Sequence, residues 1–300
     1  MLRKISLISL VLTALNSPLA TAQLGPMSSQ YLTNQFMINP AYAGVNNVLI
    51  GMASTKGQWV GIDGAPWTHT FSLNSSITDR FGVGAMLISD NYGINNNLET
   101  VAAASYKIRW EESTLSFGLQ AGLQQHRIDY SKLNLEYADD PNVDFDATSF
   151  QEANVGVGVY YQTQRFYAGL SLPHIRNIKS SNGTEFRRHY YLSTGYMIDY
   201  LDFLKLKPSL LLNIIEGGPV SLDLNAQLII KDQVSLGIML KDLDAIGFNI
   251  NYVEGGYMRV GYAYELAFGP LATASYGIHE LMFSVDIALL KNQRIRTRYF

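Results

Sequence analysis

The sequence predicts an all-β fold: a transmembrane antiparallel β-barrel of about fourteen strands, with a short N-terminal segment that plugs it or lies at its periplasmic mouth. Three observations carry this. From about residue 48 the chain is a succession of period-two segments, broken by turn residues, with no sustained 3.6-residue period. These segments are about ten residues long, the length a tilted membrane strand needs and about twice that of an ordinary soluble strand. Finally, beyond the leader no stretch approaches the roughly 18 apolar residues of a membrane-spanning helix.

The leader comes first. Arg3 and Lys4 precede an apolar run from Ile5 to Leu15, and Ala20-Thr21-Ala22 supplies small residues before Gln23. That order is a secretory signal peptide over residues 1–22, too short in its apolar part to anchor as a helix. Its removal takes two cations and no acid, so the formal charge moves from −3 to −5. Mild acidity argues against a nucleic-acid partner. The chain has no cysteine, hence no disulfide framework, thiolate metal site or lipidated cysteine.

Residues 23–47 follow, with Pro40 and Gly44 interrupting any regular element, and are expected to pack inside the barrel or against its mouth. The barrel itself spans 48–290, with strands near 48–59, 67–77, 81–90, 98–110, 114–126, 151–162, 165–172, 188–199, 204–214, 220–230, 234–241, 245–253, 256–266 and 276–289. Val220–Ile230 is the clearest. Val220, Leu222, Leu224, Ala226 and Leu228 share one face, while Ser221, Asp223, Asn225 and Gln227 share the other, because successive strand side chains point oppositely. Thr114–Gln124 and Gln151–Gln162 repeat the pattern, with Gly-x-Gly pairs such as Gly82/Gly84 and Gly156/Gly158 expected to relieve crowding on the inward face.

Connections alternate in length. Turns such as Thr78-Asp79-Arg80 and Lys231-Asp232-Gln233 are short, whereas Val60–Pro66, Asn91–Asn97, Arg127–Phe150 and Pro173–Arg187 are longer. This places an even strand count and both termini on the short-turn, periplasmic side, with residues 291–300 as a periplasmic tail. Trp59, Trp67, Phe81, Trp110, Tyr160, Tyr161, Phe166, Tyr190, Tyr191 and Tyr252 lie near strand ends and suit interfacial aromatic girdles.

The segment from Gln30 to Gly44, with Asn39-Pro40-Ala41-Tyr42-Ala43-Gly44 at its core, resembles the opening signature of the PorP/SprF family of Bacteroidetes type IX secretion-associated outer-membrane proteins. Further matches keep the family order: Gln58-Trp59-Val60-Gly61-Ile62 with Ala65-Pro66, Asp90-Asn91-Tyr92-Gly93, Pro208-Ser209, Gly261-Tyr262-Ala263-Tyr264 and Gly277-Ile278-His279-Glu280. Glu265 departs from the Asp expected there. The resemblance implies an outer-membrane barrel of the secretion or gliding-motility apparatus, with type IX components or a cognate secreted adhesin as partners besides the membrane lipid. Its signature residues, structural or partner-binding, are Asn39, Pro40, Ala41, Gly44, Trp59, Pro66, His279 and Glu280. A small-solute porin or transporter is the alternative.

Catalytic chemistry has little support. The five histidines are dispersed, without the i, i+4 pairing of helical zinc sites, and there is no Gly-x-Ser-x-Gly elbow or helix-opening phosphate loop. We therefore expect no enzyme activity, catalytic residue, metal or cofactor. Acidic residues Glu136, Asp139, Asp140, Asp144 and Asp146 read as a solvated loop lacking EF-hand spacing, and His174, Arg176, Lys179, Arg187 and Arg188 as a cationic counterpart.

Overall fold

A computed structural model describes residues 28–130, 149–179, 185–268, 275–288 and 298–300. The expected signal peptide, the acidic run within 131–148 and residues 291–297 of the expected tail lie outside the described residues.

Fourteen antiparallel strands close into a barrel: β1 Leu49–Gly57, β2 Trp67–Ser76, β3 Phe81–Tyr92, β4 Asn95–Arg109, β5 Ser113–Ile128, β6 Ser149–Thr163, β7 Phe166–Leu172, β8 His189–Tyr196 continued by Ile198–Leu201, β9 Leu204–Ile215, β10 Val220–Ile230, β11 Val234–Lys241, β12 Ala245–Glu254, β13 Met258–Ala267 and β14 Ile278–Ile287. Each strand pairs with its chain neighbour. The first and last pair from Leu49↔Ile287 to Gly57↔His279, which leaves the sheet without an edge. No described helix is long and apolar enough to cross a membrane.

The faces follow the alternation. In β10, Val220, Leu222 and Leu224 are exposed on the outer wall, and Ser221, Asp223, Asn225 and Gln227 are buried in the lumen. Leu119 on β5 is 66% exposed while its neighbour Gln120 is buried. A soluble fold would bury the opposite row. The arrangement makes sense only with hydrocarbon outside, because lipid accepts apolar side chains and no unpaired polar ones.

The alternation also corrects the aromatic girdle. Trp67, Phe81, Trp110, Tyr190 and Tyr252 do stand on the outer wall. Tyr160 and Tyr191 do not: each sits one residue from an outward neighbour, so each points inward, and Tyr160 meets Tyr42 edge-on at 5.3 Å.

Tight turns join the strands at one end. Two consecutive left-handed residues, Lys231 and Asp232, form the β10–β11 turn, the geometry that matches the right-handed twist of paired strands. The other end carries the longest connections, 58–66, 129–148, 173–188 and 268–277. One expected long connection is in fact tight. Pairing of β3 with β4 continues to Tyr92↔Asn95, so the Asn91–Asn97 stretch is a hairpin turning on Gly93, whose φ is +53°. The 173–188 connection begins as part of the wall: Ile175 N–H donates to Val155 O, and His174 Nε2 lies 2.7 Å from Glu99 Oε1.

Candidate functional site

The lumen is filled by the chain's own N-terminal segment. Ser28–Asn47 forms three single-turn 3-10 helices, Ser29–Leu32, Gln35–Met37 and Pro40–Tyr42, each begun by a polar cap: Ser28, Asn34 and Asn39. Short 3-10 turns leave many N–H and C=O groups without intrasegment partners. In a barrel interior those groups must be satisfied by the wall.

The wall does this in two ways. Toward the long-connection end, carboxylates receive the start of the segment. Glu280 accepts from the Ser29 N–H at 2.8 Å and from the Ser28 hydroxyl, while Glu265 accepts from the Ser29 hydroxyl and pairs with Lys241 at 2.9 Å. Elsewhere cations cap carbonyls. Lys107 Nζ donates to Gly44 O at 2.6 Å, Lys207 Nζ to Leu32 O at 3.3 Å, and Arg109 to Val45 O at 3.1 Å. The segment therefore runs through the lumen from the long-connection half at Ser28 to the short-turn mouth at Asn47, where β1 begins. Strand ends Leu49 and Ile287 lie at the short-turn end as expected, but Ser28 does not.

The extreme C-terminus joins this plug. Arg298 donates to Thr33 O at 2.7 Å and pairs with Asp286 at 3.2 Å; Tyr42 OH donates to Phe300 O at 2.6 Å, and Lys207 to Tyr299 O at 2.7 Å. Burial works against the Arg298 charge, yet the Asp286 carboxylate and Tyr42 outweigh it and hold the guanidinium above its ordinary range. Of the expected periplasmic tail, Arg298–Phe300 thus lies inside the short-turn mouth, with Arg298 and Phe300 buried.

Against β3, β5 and β6 the plug touches backbone directly. A Cβ on Gly118 would fall 2.2 Å from Ala41 N, one on Gly158 2.1 Å from Asn39 Oδ1, and one on Gly82 2.1 Å from Ala43 O. No side chain fits at these points, and the inward glycines Gly82, Gly84, Gly118 and Gly158 are the imprint of the plug, whereas Gly156 makes room for Pro173 O of the 173–188 connection.

The signature residues fall into two groups. Asn39, Pro40, Ala41 and Gly44 form a buried turn: Asn39 Oδ1 caps Ala41 N–H at 2.9 Å, its amide donates to Val159 O at 3.0 Å, Pro40 opens the turn where no donor is needed, and Gly44 adopts φ +66° against Ser75. Trp59, Pro66 and His279 lie at the long-connection rim. Gln58 N–H donates to Pro66 O, Trp59 is left-handed at φ +49°, and Val60 pairs with Gly277 and Tyr276 just before His279. His279 is on the outer side, with Nδ1 2.7 Å from Tyr262 OH, whereas Glu280 points inward to hold Ser28 and Ser29. Lys56, Lys107, Lys207, Lys241 and Arg298 were not singled out from sequence, although a lysine on the inward register of a strand, such as Lys107 between Ser105 and Arg109, is the available signal.

The family described as type IX secretion system membrane protein PorP/SprF matches residues 20–285. The chain belongs to the PorP/SprF family. One protein of known structure shares its fold. The toluene transporter TbuX of Ralstonia pickettii superposes with a TM-score of 0.52 at 9% identity, covering 87% of this chain and 94% of that one. Omp33 of Acinetobacter baumannii reaches 0.49 at 7% identity, over 81% and 100% of the two chains. No curated protein matches this PorP/SprF chain. Family and fold place it in the outer membrane.

Proposed function

We propose that this PorP/SprF protein is a sealed outer-membrane anchor that retains a secreted surface protein through the rim formed by its long connections, without catalysis and with the lumen closed. The observation that carries the reading is the plug, tied at the long-connection end by Glu280, Glu265 and Lys241 and at the other by Lys107, Arg109 and the C-terminal residues. A rigid, closed scaffold leaves recognition to loops, which vary without disturbing the ladder. β4, β5 and β6, at fifteen, sixteen and fifteen residues, are longer than the roughly 9–11 a membrane strand requires. Their outward residues turn polar at Asn96, Gln125, Arg127, Ser149 and Gln151, which supports a wall rising above the lipid beneath the 129–148 connection. In this reading the rim faces the outside and the short turns face the periplasm.

The test combines two measurements on cells. Shortening the 129–148 connection is expected to leave the barrel inserted while the secreted partner moves from the cell fraction to the medium, and protease should cut a tag at 140 but not one at 79 or 232. Retention of the partner by the shortened barrel, or the reverse protease pattern, overturns the reading. A small-solute porin predicts steady, large single-channel openings with the plug intact; a sealed anchor predicts none.

A further inference from the structure

The outer wall is not uniformly filled. Across β7–β11 lies a hollow with about 500 Å³ of free space. Its origin is in the register. Phe166 faces Tyr196 across β7–β8, and Pro208 pairs with Ala226, which pairs with Ile238. One tier of the wall therefore reads Phe166, Tyr196, Pro208, Ala226, Ile238, with two small side chains side by side between large ones. Neighbouring strands are about 4.8 Å apart, so the gap between Tyr196 and Ile238 spans about 14 Å.

The backbone deepens it. β8 pairs with β9 from His189↔Ile215 to Gly195↔Ser209 and again from Ile198↔Leu206, but Tyr196 and Met197 have no partner on β9, where Pro208 lacks an N–H. β7 on the other side is only seven residues long. The hollow thus sits over an interrupted ladder, next to a short strand.

We propose that this hollow seats one acyl chain of a membrane phospholipid, drawn from the leaflet on the short-turn side. Apart from Gly195, Ser209 and Asn225 on the inward register, the lining is outward, in the band where the wall meets hydrocarbon, and Leu210, Leu224 and Leu240 bound it on the next tier. The Thr194 hydroxyl within it already donates to Tyr167 O at 3.0 Å, and Pro208 offers no donor. A ligand with polar atoms would lose its hydrogen bonds there; a hydrocarbon chain loses nothing. A flexible chain also conforms to the hollow and covers the interrupted β8–β9 ladder. Ala226 lies four residues before the end of β10 at the short-turn side, which selects the leaflet.

The full-length barrel, folded into dioleoylphosphatidylcholine vesicles and extracted in mild detergent, is weighed by native mass spectrometry. The unaltered protein is expected to retain one phospholipid. Ala226→Phe, which fills the hollow, should lower that occupancy at least tenfold, and Ala226→Leu, a milder filling, should lower it partly should the larger side chain prevent folding. Ala104→Phe on the outward face of β4 should retain the lipid. Absence of bound phospholipid from the unaltered protein, equal loss in Ala104→Phe, full retention in both Ala226 variants, or a polypeptide in place of the lipid overturns the proposal.

Discussion

The two sides of the lumen hold the same plug by different means. Around Ser28–Thr33 the wall reaches inward with long charged side chains, Lys241, Glu265, Glu280 and Lys207, assisted by Arg298. Around Asn39–Gly44 much of the contact is made by bare backbone: Gly82, Gly118 and Gly158 let the plug lie against the strands themselves. A tether tolerates small displacements but fails when one partner of a buried charge pair is removed. A shape-matched contact is weak in any single bond, yet cannot admit one added carbon. The difference predicts opposite sensitivities to charge deletion and to side-chain enlargement.

Glu265→Ala should have the largest effect. It leaves the mostly buried Lys241 without its ion-pair partner and the Ser29 hydroxyl without its acceptor. Breaking such a pair costs about 3–5 kcal/mol, so the midpoint of a denaturant titration in vesicles should fall sharply. Single-channel recordings should show openings that the unaltered protein lacks. A midpoint shift below about 1 kcal/mol, in the range of solvated ion pairs, would remove the tether from the comparison.

Outside both regions, the lipid face sets a reference. Leu119→Arg, mid-strand on β5, should cost about 2–4 kcal/mol, whereas Leu222→Arg, near the long-connection end of β10, should cost about 0–1 kcal/mol. Equal losses in folding titrations would mean that the outer wall does not follow membrane depth.

How much of this was legible in the sequence differs between the two regions as well. Period two fixed the strands, their faces and their number, because a half-lipid, half-lumen wall forces strict alternation, as in Val220–Ile230. The glycines were visible as inward pairs, but what they made room for was not. Glu280 belonged to a recognised signature, yet its partners Ser28 and Ser29 lie more than 250 residues away in the chain, and no local pattern reports such a pairing. Glu265 stood out only as a departure from Asp; its carboxylate spans to both Lys241 and the Ser29 hydroxyl. The Asn91–Asn97 turn was misread because three asparagines in a row look like a loop, while the ladder of β3 and β4 uses them as strand.

Enlargement is the converse test. Gly118→Val places a branched side chain where a Cβ alone would lie 2.2 Å from Ala41 N. Overpacking of this kind costs about 1–3 kcal/mol and should displace the plug turn at Pro40–Tyr42, read as new protease sensitivity of the N-terminal segment. Ala121→Val, outward on the same strand, should change the midpoint by less than about 0.5 kcal/mol. Similar behaviour of both variants would mean that the plug does not rest on the glycine row.

The smallest effect separates a cap from a cross-link within the shape-matched region. Asn39 does both jobs: its Oδ1 caps the Ala41 N–H and its amide donates to Val159 O on β6. Asn39→Ser keeps an effective cap, since serine is about as good as asparagine at that position, but cannot reach across to the strand as a second donor. The loss should be that of one neutral hydrogen bond, about 0.5–1.5 kcal/mol. Asn39→Asp keeps the cap oxygen and instead turns a second carboxylate oxygen toward the Val159 carbonyl, so it should be clearly worse than Asn39→Ser although it is closer in shape. Denaturant midpoints of the two variants, measured side by side, decide the point. If Asp is tolerated as well as Ser, the amide donor to β6 contributes nothing and Asn39 acts only on its own turn.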